Sequence, residues 1–128
     1  MKQLSKSTGL ALIAIILGSC APKLAGTWSI QKYETTAPGE QGVSLNNIGT
    51  ITFNKNGNGE KNISYIIFGT TIEDKLPFSW SASENMVTIE SEGSELSKTW
   101  IVVEGKKKSQ HWRSTDGANK VQILELVR

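Results

Sequence analysis

The sequence predicts an all-β fold, an eight-stranded antiparallel up-and-down β-barrel, and three observations predict it. From Leu24 onward apolar and polar residues alternate with the period of two that a half-buried strand requires. Turn signals recur about every ten residues, the spacing of sandwiches and barrels. The connections are short but for one, so closure into a ring is the simplest way to pair the edges that an open sheet would expose. A β-sandwich is the alternative that the same alternation allows.

Taken in order, the first strand runs from Gly26 to Thr35, with Trp28 and Ile30 on one face and Thr27, Ser29 and Gln31 on the other. The second, Gly49–Lys55, sets Ile51 and Phe53 against Thr50 and Thr52, and ends in Asn56-Gly57-Asn58-Gly59. Asn and Gly tolerate the positive φ of a tight hairpin, so this tetrad should lead straight into an antiparallel third strand, Lys61–Thr70. Leu76–Ser81 follows with Leu76, Phe78 and Trp80 on one face. Pro77 removes a ladder donor there and should keep that strand short or peripheral. Asn85–Glu92 presents Val87 and Ile89, Leu96–Glu104 presents Trp100 and Val102, and Ser109–Thr115 presents Trp112. In the sixth strand Ile101 and Val103 compete with Trp100 and Val102 for the inside, since a shift of one residue reverses every side chain. Asp116-Gly117 turns the chain into Lys120–Arg128. The one long connection, Thr36–Asn47, is polar and rich in Gly and Pro, and is expected to be a lid or binding loop.

Before the alternation begins, the chain has a different character. Lys2 and Lys6 precede an apolar run from Gly9 to Leu17, which has the form of a secretory leader. The run falls short of the roughly 20 residues of a membrane-crossing helix, and no second one follows. It ends in Leu17-Gly18-Ser19-Cys20, which resembles the lipobox of bacterial lipoproteins: an aliphatic residue, two small residues, then the cysteine that is acylated. That resemblance implies a signal peptide over 1–19, a lipidated Cys20 with a tether to residue 24, and a barrel domain over 25–128. It further implies membrane attachment through acyl chains of the palmitate type, for which two or more chains suffice. Ala21-Pro22-Lys23 lack an aspartate of the inner-membrane retention kind and an acidic cluster of the surface-export kind. The expected location is therefore the cell envelope, on the outer membrane facing the periplasm.

Charge and composition exclude several classes. Lys2 and Lys6 account for the whole formal surplus of +2, so residues 21–128 are neutral, and nucleic-acid binding, which needs a basic surplus on one face, is not expected. Lys106-Lys107-Lys108 reads as a solvated hairpin turn, with contact to anionic headgroups as the alternative. A single cysteine allows neither an intrachain disulfide nor a CxxC metal or redox site. His111, the only histidine, stands on a strand beside Trp112 and has no marked serine to activate. The stretch from Asn54 to Glu60 has Asn and Lys where calcium wants carboxylates. Glu90 and Glu92 are spaced as outward strand residues rather than as an acid/base pair. No catalytic residue, metal or cofactor is expected, and the protein is not expected to be an enzyme.

Three stretches carry a second resemblance: Leu24-Ala25-Gly26-Thr27-Trp28, Gly49-Thr50-Ile51-Thr52-Phe53 with its Gly/Asn turn, and the terminal Leu124-Glu125-Leu126-Val127-Arg128. Together they resemble the lipocalin-like domain of small bacterial lipoproteins over residues 24–128. The resemblance implies that Trp28 packs at the closed end of the barrel with Arg128 lying across it. A clear second motif between the sixth and seventh strands and a helix after the eighth are missing, which argues against a full-size cavity.

Two functions follow. One is a binding module that holds a small apolar ligand, with Phe53, Tyr65, Phe78, Trp80, Trp100 and Trp112 as candidate lining residues. The other is a non-enzymatic protein with a filled core that interacts with or inhibits an envelope partner through its loops. An eight-stranded barrel is wide enough for either arrangement.

Overall fold

A computed structural model of the chain describes residues 24–115 and 119–128; the leader, Cys20 and the Asp116-Gly117 turn lie outside the described residues. The strands are β1 (Gly26–Thr36), β2 (Val43–Phe53), β3 (Asn58–Ile67), β4 (Thr70–Asp74), β5 (Phe78–Ala82), β6 (Met86–Glu90), β7 (Lys98–Gly105), β8 (Ser109–Thr115) and β9 (Val121–Val127). All pairings are antiparallel. They run β2-β1-β9-β8-β7-β6-β5-β3 and return to β2 through a β2–β3 ladder, so eight strands close a barrel. Closure excludes the sandwich. β4 is an extra strand outside the ring, paired with β3 alone.

The eight expected strands all stand in the ring, and β4 is an addition to them. The third segment does not run on to Thr70 but turns at Phe68-Gly69, both at positive φ (49° and 78°), and comes back as Thr70–Asp74. A two-residue turn with both central residues at positive φ is normally built from Asn-Gly, and Phe at its first position hides the signal. Phe68 is also 84% exposed, so its ring gives up nothing to the core. Phe68→Asn is therefore expected to leave stability unchanged or raise it by up to about 1 kcal/mol, because Asn tolerates the left-handed region at less cost. Urea unfolding of the two proteins checks this.

The expected long loop is also shorter than its composition indicates. β2 begins at Val43, leaving only residues 37–42 as the connection. The alternation that would reveal its upper half is broken twice. Asn47 has φ 53° and Gly49 has φ 140°, and the β1–β2 register slips between Ile30 and Lys32. Gly49 is required where it stands: a Cβ there would lie 2.1 Å from the Asn62 carbonyl oxygen of β3. Two smaller corrections come at mid-chain. Leu76 precedes β5, which starts after Pro77, and is half-exposed rather than on the Phe78/Trp80 face; Leu96 precedes β7 yet is buried.

Inside the ring, Trp28, Ile30, Ile51, Phe53, Ile63, Ile89, Trp100, Trp112, Leu124 and Leu126 are fully buried. In β7 the register places Trp100 and Val102 inward and leaves Ile101 and Val103 exposed. Each indole N–H has an acceptor: Trp28 donates to the Leu24 carbonyl (2.8 Å), Trp100 to the Leu96 carbonyl (3.0 Å), Trp112 to Gln110 Oε1 (3.0 Å), and Trp80 to the Asn54 and Asn58 carbonyls. Leu24-Ala25-Gly26-Thr27-Trp28 and Leu96-Ser97-Lys98-Thr99-Trp100 thus use one device twice, a leucine carbonyl receiving the indole four residues later.

The two ends of the barrel differ. At one end lie the chain entry at Ala25, the Asn54–Gly57 turn, the Lys106–Lys108 turn and Arg128. The Arg128 guanidinium stacks 4.1 Å from the Trp28 ring centroid and donates to the Ala25 and Lys107 carbonyls, closing that end. At the other end the wall parts. Ile63 pairs with both Gly49 and Asp74, so β2 and β4 flank β3 on opposite sides. Beyond Ile63, β3 follows β4 while β2 follows β1, and the two strands that form the wall below no longer pair.

Candidate functional site

The closed half of the interior is filled with aromatic rings. Phe53 sits at its centre, edge-on to Phe78 (5.3 Å between centroids), Trp80 (5.2 Å) and Trp112 (5.9 Å), and Trp112 in turn lies 6.4 Å from Trp100. Edge-to-face geometry places ring hydrogens against a neighbour's π face and adds attraction beyond burial alone. Of the six residues expected to line a ligand space, Phe53, Phe78, Trp80, Trp100 and Trp112 pack on one another instead, because facing inward in a barrel this narrow means meeting the opposite wall. Tyr65 is the exception.

Tyr65 lines a cleft of about 80 Å³ toward the open end, together with Tyr33, Ile48, Ile63, Ile72 and Leu96. Glu73, Asp74 and Glu95 also border it. The two phenol rings stand 6.0 Å apart at 50°. Toward the mouth on the same strand faces, Thr35 follows Tyr33 and Ile67 follows Tyr65. There a wider recess of about 450 Å³ opens between residues 37–41, Val43 and the Phe68 turn, with Lys120 at its side. The recess occupies the place where β2 and β3 part.

The wall of the cleft rests on a buried ion pair that alternation alone does not announce. Lys61 lies on the inward face of β3 between Gly59 and Ile63, its side chain 0% exposed. Its ammonium donates to Asp74 Oδ2 at 3.0 Å and to Ser91 Oγ at 2.9 Å, and lies 5.9 Å from the Phe78 ring centroid. Asp74 also accepts from Ser94 Oγ (2.6 Å) and from the Leu76 N–H (3.2 Å), while Ser91 donates to the Pro77 carbonyl (3.0 Å). One network therefore ties β3 to the end of β4 and to the connection between β6 and β7. Burial pushes the Lys61 ammonium below the usual lysine range, and Asp74 opposes that by hydrogen bond and charge. The sequence signal is a lysine at an inward position of a strand, which must carry a partner with it.

On the facing wall the Tyr33 hydroxyl accepts from Gln122 Nε2 (2.9 Å), and Gln122 Oε1 accepts from Lys98 Nζ. Burial first, then the neighbouring Tyr65 and Glu95, push the Tyr33 phenol far above its ordinary range, against the opposing Gln122 hydrogen bond. Tyr65 is raised by burial, then Glu95 and Asp74. A phenol raised in the folded state keeps its proton where the unfolded chain loses one, at about pH 10. The stability this contributes is complete below that pH and is lost as pH climbs through the folded value. Lys61 acts in the opposite sense: between its lowered value and about 10.4 the unfolded chain holds a proton the folded one lacks, so stability there rises with pH. Thermal melts across about pH 9 to 11.5 should thus show an alkaline loss that Tyr33→Phe with Tyr65→Phe reduces. An equal loss in the double variant would contradict it.

His111 lies on the outer face of β8, half-buried, its Nδ1 3.7 Å from Glu125. Glu90 is exposed at the end of β6. Among the described residues no three His, Cys, Asp or Glu side chains gather as a metal site would need.

The described strands thus form a closed antiparallel ring, sealed at one end by a Trp–Arg stack and open at the other over a small cleft. Residues 24–120 match the lipocalin-like domain family, and the chain belongs to that family. No curated protein matches it. Among solved structures it is similar to a redesigned β-barrel, at 16% identity and a TM-score of 0.49, across 84% of this chain and 93% of that one.

Proposed function

We propose that this protein is a lipid-anchored component of the bacterial cell envelope, held through acyl chains on Cys20 and probing the periplasm from the outer membrane. Its barrel binds, rather than transforms, one small and mainly apolar ligand at the open end. The observation that carries the binding reading is the cleft below the parted β2 and β3 strands, walled by Ile48, Ile63, Ile72 and the two tyrosines. At about 80 Å³ it is well under the roughly 300–1,000 Å³ of ordinary ligand pockets. It therefore takes a ring or a short branched chain, while the rest of the ligand occupies the recess above. Around the cleft Asp74 is ion-paired with Lys61 and Glu95 with Lys120, which leaves Glu73 to favour neutral or cationic ligands over carboxylates such as free fatty acids.

Fluorescent apolar dyes of similar size and different charge test this. The neutral and cationic dyes should saturate at one per barrel and the anionic one should bind several-fold more weakly. Ile63→Trp, which fills the cleft, should abolish uptake; unchanged uptake in that variant contradicts the assignment. For the anchor, Cys20→Ser should end acyl labelling and release the protein from membranes, and a variant that stays bound contradicts it.

A second reading, interaction with an envelope protein partner, is favoured by the β3–β4 tip, where Ile66 and Phe68 are exposed together. It requires that Phe68→Asn weaken capture of that partner while leaving dye uptake intact.

A further inference from the structure

Exposed lysines gather at one end of the barrel, and that end is where the chain enters it. At the closed end the Asn54–Gly57 turn carries Lys55, and the tight β7–β8 turn carries Lys106, Lys107 and Lys108, all exposed. Arg128 lies against that turn, its backbone N–H donating to the Lys108 carbonyl and its guanidinium to the Lys107 carbonyl. Three acids share this half: Glu104, ion-paired with Lys106 at 3.2 Å, Glu84, and Glu60 on β3. Among the described residues the opposite half carries Glu40, Glu73 and Glu92 against Lys75, together with two ion pairs, Asp74 with Lys61 at 3.0 Å and Glu95 with Lys120 at 3.5 Å. The mature domain is neutral overall, yet the closed end carries a local surplus of lysine.

The chain enters at the basic end. Leu24 receives the Trp28 indole N–H and Ala25 receives the Arg128 guanidinium. Four residue steps separate Leu24 from Cys20, a reach of at most about 14 Å. That reach is under twice the screening length of about 8 Å at physiological salt, so an acylated Cys20 keeps the closed end near the bilayer surface, where an anionic leaflet attracts lysines.

We propose that the closed end of the barrel, through Lys55, Lys106, Lys107 and Lys108, is a docking face for the anionic phospholipid headgroups of the membrane that holds the anchor. The mouth then opens away from the bilayer. The inference rests on the acylation of Cys20. It gives the lysine turn a role beyond solvation: the acyl chains hold the barrel at the surface, and the lysines fix which end faces it. The ligand cleft is thereby presented to solutes outside the membrane, not to acyl chains within it.

The test uses the full acylated protein in vesicles of phosphatidylcholine, with and without phosphatidylglycerol, carrying a headgroup-linked quencher. A fluorophore is placed by Ser83→Cys at the closed end, or by Gln41→Cys at the mouth. With phosphatidylglycerol present, the position 83 label should be quenched several-fold more than the position 41 label. High salt, or Lys55→Glu with Lys107→Glu and Lys108→Glu, should shrink that difference while the protein still floats with the vesicles. Protein that floats but is quenched alike at both positions, or whose quenching ignores lipid charge, overturns the docking face alone. Protein that does not float overturns the anchor and the docking face together.

Discussion

Asp74→Ala is expected to destabilise the barrel by about 3–5 kcal/mol, the usual effect of removing one partner from a buried ion pair. The variant leaves the Lys61 ammonium, whose side chain is 0% exposed, with only Ser91 and a ring face, and it deprives Ser94 Oγ and the Leu76 N–H of their acceptor. Against a total stability of order 5–15 kcal/mol, that loss removes much of the margin. The reverse change should be much milder. Lys61→Met replaces the ammonium by an apolar chain of similar length, and Asp74, 14% exposed, keeps its hydroxyl and amide donors. A cost of about 2 kcal/mol or less is expected, since exchanging a buried charge for packing is often close to neutral. Urea unfolding of both variants checks the asymmetry; equal losses would mean that Lys61 is not held as a buried charge. Because Asp74 borders the cleft, Asp74→Ala should also weaken uptake of a cationic dye more than that of a neutral one.

Trp112→Ala should cost about 3–5 kcal/mol, the range for deleting a fully buried large aromatic side chain. Its ring contacts Phe53 and Trp100, and Gln110 Oε1 loses the indole N–H it accepts. For a domain of this size each kcal/mol moves the melting temperature by roughly 4–8 °C, so the shift is large and easily read. Tyr65→Ala provides the contrast. It removes a ring from the border of the cleft rather than from the filled half, so a smaller loss of stability and a larger ligand space are expected. If the two substitutions cost the same, the division of the interior into a filled half and an open half is incorrect.

That division explains what was legible in the sequence. Period-two alternation, the Asn-Gly turn before β3 and the paired positions of Trp28 and Arg128 all belong to the closed half, where regular ladders keep each local pattern in phase with the core. The open half is where the patterns fail. Asn47 and Gly49 break the phase of β2, Phe68 stands where a turn residue would announce β4, and Lys61 puts a charge where alternation calls for an apolar side chain. The aromatic residues could be placed inside by alternation, but alternation carries no depth along the barrel axis. It could not separate Tyr65 at the cleft from Trp112 in the packed half. Tyr33 was missed as its partner because the register shift after Ile30 restores it to the inside three residues on, not two. The Leu-x-x-Thr-Trp repeat could have been found by comparing the sequence with itself, and it marks the two buried indoles that donate to a leucine carbonyl.

Whether the open half holds a small apolar ligand is read from a native mass spectrum of the acylated protein extracted gently from the envelope of a producing cell. One small neutral or cationic adduct per barrel is expected, lost on denaturation and missing from Ile63→Trp prepared in the same way. A bare protein mass under conditions that preserve the fold, or an adduct that survives in Ile63→Trp, would contradict it.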